Sequence, residues 1–213
     1  MCISSLKRNH PGWEINLLDS RKAGELIDPI PIPRKKLESL SIAHRSDLIR
    51  TQLLLKYGGV WADPTVYFPR SLESWIHESV AEGLFMFSSP GPDRLISNWF
   101  IAAAPKNPIL SELYERLCRF WSETNEDSVG AVRRLGVPLL LRVLRKDVRL
   151  SKFLARPWLV RATGHVPYMI YHYMFADVVK GKAAFSASWS KVPKISADGP
   201  HLLQRIGLVE PMT

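Results

Sequence analysis

Between Ser41 and Tyr57 the apolar residues Ile42, Leu48, Ile49, Leu53 and Leu54 recur at helical spacing, and Gly58-Gly59 supplies the left-handed stop that such a helix wants. Directly afterwards, Val60-Trp61-Ala62 reads as a short buried strand that delivers Asp63 to its carboxyl end. Pro64 forces Asp63 out of helical geometry. Upstream, Ser4 to Arg8 reads as the end of a helix and Asn9-His10-Pro11-Gly12 as a turn. Trp13 to Leu18 alternates and then becomes apolar, which predicts a strand ending at Asp19, with Ser20 as the N-cap of a short helix. Pro29, Pro31 and Pro33 keep Asp28 to Arg34 extended and outside any ladder.

Downstream, Leu72 to His77 predicts a short helix, Leu84 to Phe87 a core strand, and Asn98 to Ala104 another strand. The turn Pro105-Lys106-Asn107-Pro108 leads into a helix from Ile109 to about Thr124. Further helices follow, broken near Gly136-Val137-Pro138 and at Arg156-Pro157, with one from Pro167 to Lys180. Strands alternating with helices predict an α/β sandwich in a single domain over residues 1–213, mainly helical in its C-terminal third. The sequence contains no internal repeat and no low-complexity tract.

An apolar share of 46% and a charged share of 23% exclude disordered and collagen-like classes. No apolar run approaches the ~20 residues of a membrane-spanning helix; the longest, Val137 to Leu144, is interrupted by Pro138 and Arg142. Met1 to Pro11 lacks the apolar core of a secretory signal, so the expected location is cytoplasmic, with Cys2 and Cys118 reduced. The net charge of +9 favours anionic partners. Its basic clusters, Arg34 to Lys36, Arg133-Arg134 and Arg142 to Arg149, come without a nucleic-acid-binding motif, so nucleic acid is not the expected partner. Arg142 to Arg149 reads as a solvated helix face, with peripheral contact to a membrane surface as the alternative.

The chemistry concentrates between Ser46 and Thr65. Asp47 and Arg50, three residues apart on a helix, share one face, and Asp63 ends the following strand, so two carboxylates and a guanidinium converge on one crevice. Carboxylates accept hydrogen bonds from vicinal hydroxyls, Arg donates in a fixed fork to hydroxyl or phosphate oxygens, and a carboxylate at a strand end can reach a divalent cation. Such a set suits a sugar nucleotide. The ordinary structural readings are a surface Asp47–Arg50 pair, a turn at Asp63-Pro64, an Asn98 that satisfies backbone groups, and core roles for His172, His201 and the tryptophans 61, 99, 158 and 189.

Ser46-Asp47, Arg50, Lys56-Tyr57-Gly58-Gly59 and Asp63-Pro64-Thr65 resemble, in type and spacing, the core of the DXD-containing sugar transferases of glycosyltransferase family 32, and most closely the capsular polysaccharide synthesis proteins. Cys2 to Glu14 with Leu18-Asp19, Ser97 to Ala103, and the blocks Pro167 to Tyr173, Trp189, Val192-Pro193 and Pro200 to Leu203 are similar to further segments of that family.

The resemblance implies a GT-A-like nucleotide-sugar-binding sandwich. In it Asp47 and Arg50 hold the donor sugar, Asp63 lies beside the ribose, diphosphate and metal, Thr65 takes the place of the second Asp, and Asn98 sits near sugar or acceptor. Trp189 and His201 belong to the C-terminal block that covers the donor. A neutral Thr65 weakens a manganese or magnesium site, because hard cations prefer anionic oxygen. The family's first strand has no counterpart here, so the expected domain is N-terminally truncated. The implied activity is retaining transfer of a hexose from a nucleotide-diphosphate sugar to a saccharide or lipid-linked acceptor in polysaccharide or glycoconjugate synthesis. A second reading, of another class, is a sugar-nucleotide-binding module without turnover. A third, a basic nucleic-acid binder, leaves Asp47 and Asp63 without a role.

Overall fold

A computed structural model describes residues 1–124 and 137–202. The chain opens with α1 (Cys2–Asn9), α2 (Ser20–Leu26) and α3 (Arg34–Ser39), followed by the long α4 (Ile42–Tyr57) and β1 (Gly59–Ala62). A 3₁₀ turn at Leu72–Ser74 and α5 (Ile76–Ser79) precede β2 (Leu84–Gly91) and β3 (Arg94–Ala103). Helices account for the rest: α6 (Pro108–Glu123), α7 (Val137–Leu144), α8 (Val148–Ser151), a 3₁₀ turn at Lys152–Ala155, α9 (Pro157–Thr163), α10 (Ile170–Gly181) and α11 (Ala183–Lys191). No helix among the described residues is long and apolar enough to cross a membrane.

The mixed α/β class holds, but the sheet among the described residues is a small antiparallel one ordered β1-β3-β2. β1 is therefore a half-buried edge strand, where the sequence reads as a buried strand in a larger sandwich. β3 lies at the centre and pairs with β1 from Gly59↔Ala103 to Ala62↔Phe100, and with β2 from Leu84↔Ala103 onward. β2 and β3 both run further than predicted and meet in a hairpin at Gly91↔Arg94.

The strand expected at Trp13 to Leu18 does not form. Trp13, Ile15 and Leu18 lean onto the body and the residues between them face solvent, which reproduces the alternation without a ladder. The N-cap of α2 is Asp19, one residue before the expected Ser20, and its carboxylate accepts the Lys22 N–H at 2.8 Å. α3 and α11 are additional helices. The predicted break at Gly136 lies outside the described residues, as does Leu203.

Local chemistry explains the best-formed elements. Ser41 caps α4 by accepting the His44 N–H, and Gly58, at φ +70°, ends it. Asn107 caps α6 by accepting from Ile109 and Leu110 at 3.1 and 3.2 Å, with Pro108 at the first helical position. α6 buries Leu113, Leu117, Phe120 and Trp121, while α10 is buried at every position from Ile170 to Val179. Together with α4 these helices cover one face of the sheet; each large side chain enclosed there contributes about 1.5–3 kcal/mol. On the other face Phe68, Leu72, Ile76, Phe85, Phe87 and Phe100 form a second, aromatic cluster. α1 is fastened beneath that cluster: Asn9 Nδ2 donates to the Phe68 carbonyl at 2.7 Å, and His10 Nε2 accepts the Leu72 N–H at 2.8 Å.

Candidate functional site

The junction of α4 and β1 is short because two glycines with positive φ, Gly58 (70°) and Gly59 (86°), turn the chain from helix to strand. A side chain at Gly58 would put its Cβ 2.6 Å from Pro105 Cδ. β1 then runs along β3, and the ladder continues one residue beyond it: the Asp63 N–H donates to the Trp99 carbonyl at 2.9 Å. Backbone pairing thus fixes Asp63 next to Asn98.

Asn98 reaches this point because strand alternation is broken. Trp99 and Phe100, consecutive residues, both join the aromatic cluster, while Asn98 turns towards α4. The register between β2 and β3 shifts in the same region, between Met86 and Ser88, as a bulge produces.

Asp47, Arg50, Asp63 and Asn98 meet here, with Ser46 and Trp61 against them. Arg50 lies 3.5 Å from Asp47 through Nε and 3.5 Å from Asp63 through Nη1. Its Nη1 also donates to the Asn98 carbonyl, and its Nη2 donates to Ser46 Oγ at 3.2 Å. Asn98 Nδ2 donates to Asp47 Oδ1 at 2.8 Å. Trp61 lies under the guanidinium, with its ring centroid 5.1 Å away, and donates through Nε1 to Asp63 Oδ1 at 2.8 Å. Trp61 is two residues before Asp63 on a strand and so on the same side, a period-2 signal that would have found it.

Burial divides the group in two. Asp47 and Arg50 are 5% and 6% exposed, so they lie beneath the surface and do not form a solvent-exposed pair. The Asp63 side chain is 31% exposed and, with the half-buried Asn98 and Trp61, forms the accessible part. Burial pushes the Asp47 carboxyl up to about 6, against the opposing pull of Arg50, His44 and the Asn98 hydrogen bond. Behind it Thr51 Oγ1 donates to the Asp47 carbonyl at 2.7 Å and lies 3.4 Å from the Tyr171 hydroxyl.

The other candidates lie elsewhere. Thr65 is exposed, just past the Asp63 turn, and lines a cavity of about 950 Å³ walled by the aromatic cluster and the segment Gly199 to Leu202. His201 lines the same cavity, its ring 5.6 Å from that of Trp99. Trp189 does not join the cluster: it is buried on α11, edge-on to Phe175 at 5.0 Å with Lys194 over its ring, because an apolar helix face claims it for the core. His172 is a core residue of α10, pushed down to about 3 by burial with Arg94 and Arg50 nearby, and is therefore neutral at physiological pH. Trp158 stands exposed on α9.

Among the described residues no group of three or more His, Cys, Asp or Glu side chains is placed to hold a metal. Asp63 is the outward carboxylate, and its Oδ1 already faces Trp61 and Arg50. This set fits a cation ligated mainly by a bound diphosphate, and does not fit a cage built by the protein.

The model of the family described as "Capsular polysaccharide synthesis protein" matches residues 1–129, a span that holds α4, β1, Asp63 and Asn98. The chain belongs to the capsular polysaccharide synthesis protein family. Within that family the matched span contains the whole Asp47–Arg50–Asn98–Asp63 group, and Trp189 and His201 lie beyond it. Over 137 residues the chain is 25% identical to the O-glycosyltransferase braB of Annulohypoxylon truncatum, covering 56% of this chain and 32% of that protein. The chain thus spans about a third of the length of that relative. No solved structure matches.

Proposed function

We propose that this capsular-synthesis chain carries the sugar-transfer site of a GT-A-type hexosyltransferase. It moves a hexose from a nucleotide-diphosphate sugar to a hydroxyl of a polysaccharide or glycoconjugate acceptor, with retention at the anomeric carbon. Family membership and the O-glycosyltransferase relative support the reaction class. The observation that carries the reading is the meeting of Asp63 and Asn98 over a buried Arg50 at the end of β1.

In this reading each residue has a distinct task. Asp63 and Asn98 contact the donor, since they are the accessible hydrogen-bonding groups. Arg50 is a positioning residue: it holds the Asn98 backbone and Asp63, and its charge offsets that of the departing diphosphate. Asp47 fixes the Asn98 amide by accepting from its Nδ2. Manganese or magnesium, when present with the diphosphate, neutralises charge beside Asp63. The aromatic cavity that begins at Thr65 receives the acceptor.

A second reading, a sugar-nucleotide-binding module without turnover, is favoured by the burial of Arg50, whose nitrogens already face Ser46, Asn98 and two carboxylates. One assay separates the two. The protein is incubated with uridine- and guanosine-diphosphate sugars, with and without manganese, and free nucleotide is measured. Release that falls steeply in Asp63→Asn is the expected result. Binding without release at any metal concentration would establish the module, and neither binding nor release would overturn both.

A further inference from the structure

α7 turns Leu141 and Leu144 into the main core and leaves Leu139, Leu140 and Val143 in solvent. Further along, Leu150, Phe153 and Trp158 are also exposed, with Leu139 at 62% and Trp158 at 59%. These residues share one region, because α7 packs against α8 and the Lys152–Ala155 turn, and that turn packs against α9. Single exposed apolar residues are ordinary; six large ones on adjoining short helices are a patch.

The same stretch is strongly basic. From Arg142 to Arg161 it carries seven Lys or Arg against one acidic residue, Asp147, which is six of the nine net positive charges of the chain. Arg156 and Arg161 pair with Asp177 and Glu123, whereas Arg142, Lys146 and Arg149 form no ion pair among the described residues. Cations on their own would suit a nucleic-acid backbone. Cations interleaved with exposed Leu, Phe and Trp suit an interface with charged headgroups above and acyl chains below, where long basic side chains reach up while their stems and neighbours insert.

We propose that the outer surface of Val137 to Thr163 docks the protein on an anionic lipid bilayer. The occupant is the bilayer surface itself, selected by negative headgroups and retained by shallow insertion of Leu139, Leu140, Val143, Phe153 and Trp158.

The test uses the full chain without any nucleotide sugar, so its outcome is independent of the transfer reading. The protein is sedimented with vesicles of phosphatidylcholine alone or of phosphatidylcholine mixed with phosphatidylserine. Binding at least about tenfold stronger to the anionic vesicles is expected. Added salt should weaken it severalfold without abolishing it, because screening removes the charge contribution and leaves the apolar one. Arg142→Glu with Arg149→Glu should lose the preference for anionic vesicles, and Leu139→Ser with Trp158→Ser should leave only binding that salt eliminates. Melting curves of both variants should match the parent, since the altered side chains are exposed or unpaired. Equal sedimentation on neutral vesicles, binding that survives both double substitutions, or tighter binding to duplex DNA than to anionic vesicles would overturn the proposal.

Discussion

The same three strands present two faces, and the faces are closed differently. Towards α4, α6 and α10 the sheet is sealed: Leu84, Met86, Ile96 and Ile101 are wholly enclosed, as are Trp121, Tyr171 and Phe175 opposite them. On the other side Phe85, Phe87, Phe100, Trp75 and Trp99 pack ring against ring, and all but Phe85 border an open cavity of about 950 Å³. The sealed face supplies stability and the open face supplies access. The Asp63 group sits where the two meet, with its charged half on the sealed side.

That division can be broken by mutation. The largest stability effect belongs to the sealed face: Phe175→Ala, at a position with no exposure, should cost about 3–5 kcal/mol in urea unfolding. Next comes Asp63→Asn at the junction, where nucleotide release should fall by roughly a hundredfold, about 2.7 kcal/mol of transition-state stabilisation, while the urea midpoint scarcely moves.

Asp47 gives a smaller and pH-dependent effect. Its folded carboxyl titrates near 6, above the ordinary value of 3.8, so between those values the folded chain holds more proton than the unfolded one. Its contribution to stability therefore falls as pH rises from about 4 to about 6 and is level above that. Subtracting the urea stability of Asp47→Asn from that of the parent across this range should reveal a swing of about 2 kcal/mol. The smallest effect lies on the open face. Trp99 Nε1 is buried and has no hydrogen-bond partner among the described residues, so Trp99→Phe should change stability by less than about 1 kcal/mol, yet raise the acceptor KM because the wall of the cavity changes shape.

The helix–glycine–strand run from Ser41 to Asp63 was legible because cap, periodicity, Gly58 and Pro64 all agree locally. The apolar period of α4 hides one thing, however: its polar side, with His44, Asp47, Arg50 and Thr51, is buried as well, and Ile42 is exposed. Tertiary neighbours explain that, Asn98 on β3 beside Asp47, Trp121 on α6 beside His44 and Tyr171 on α10 beside Thr51, and a window of one helix cannot contain them. The missing strand at Trp13 to Leu18 has the same origin, since alternation reports a half-covered extended segment and says nothing about whether a ladder partner exists. The burial of Trp189 is not legible in the sequence, because aromatic residues fill cores and line sites alike and sequence order does not separate the two.

The tight turn at Gly58 and Gly59 makes the spacing between Arg50 and Asp63 a mechanical gauge. With Pro105 pressed against Gly58 there is no slack to absorb an extra residue. Because side chains on a strand switch sides at each step, one amino acid inserted after Gly59 would aim the carboxylate away from the guanidinium, whereas a paired insertion would restore its direction and merely advance it along the sheet. Length tolerance in this loop should therefore follow an odd–even rule.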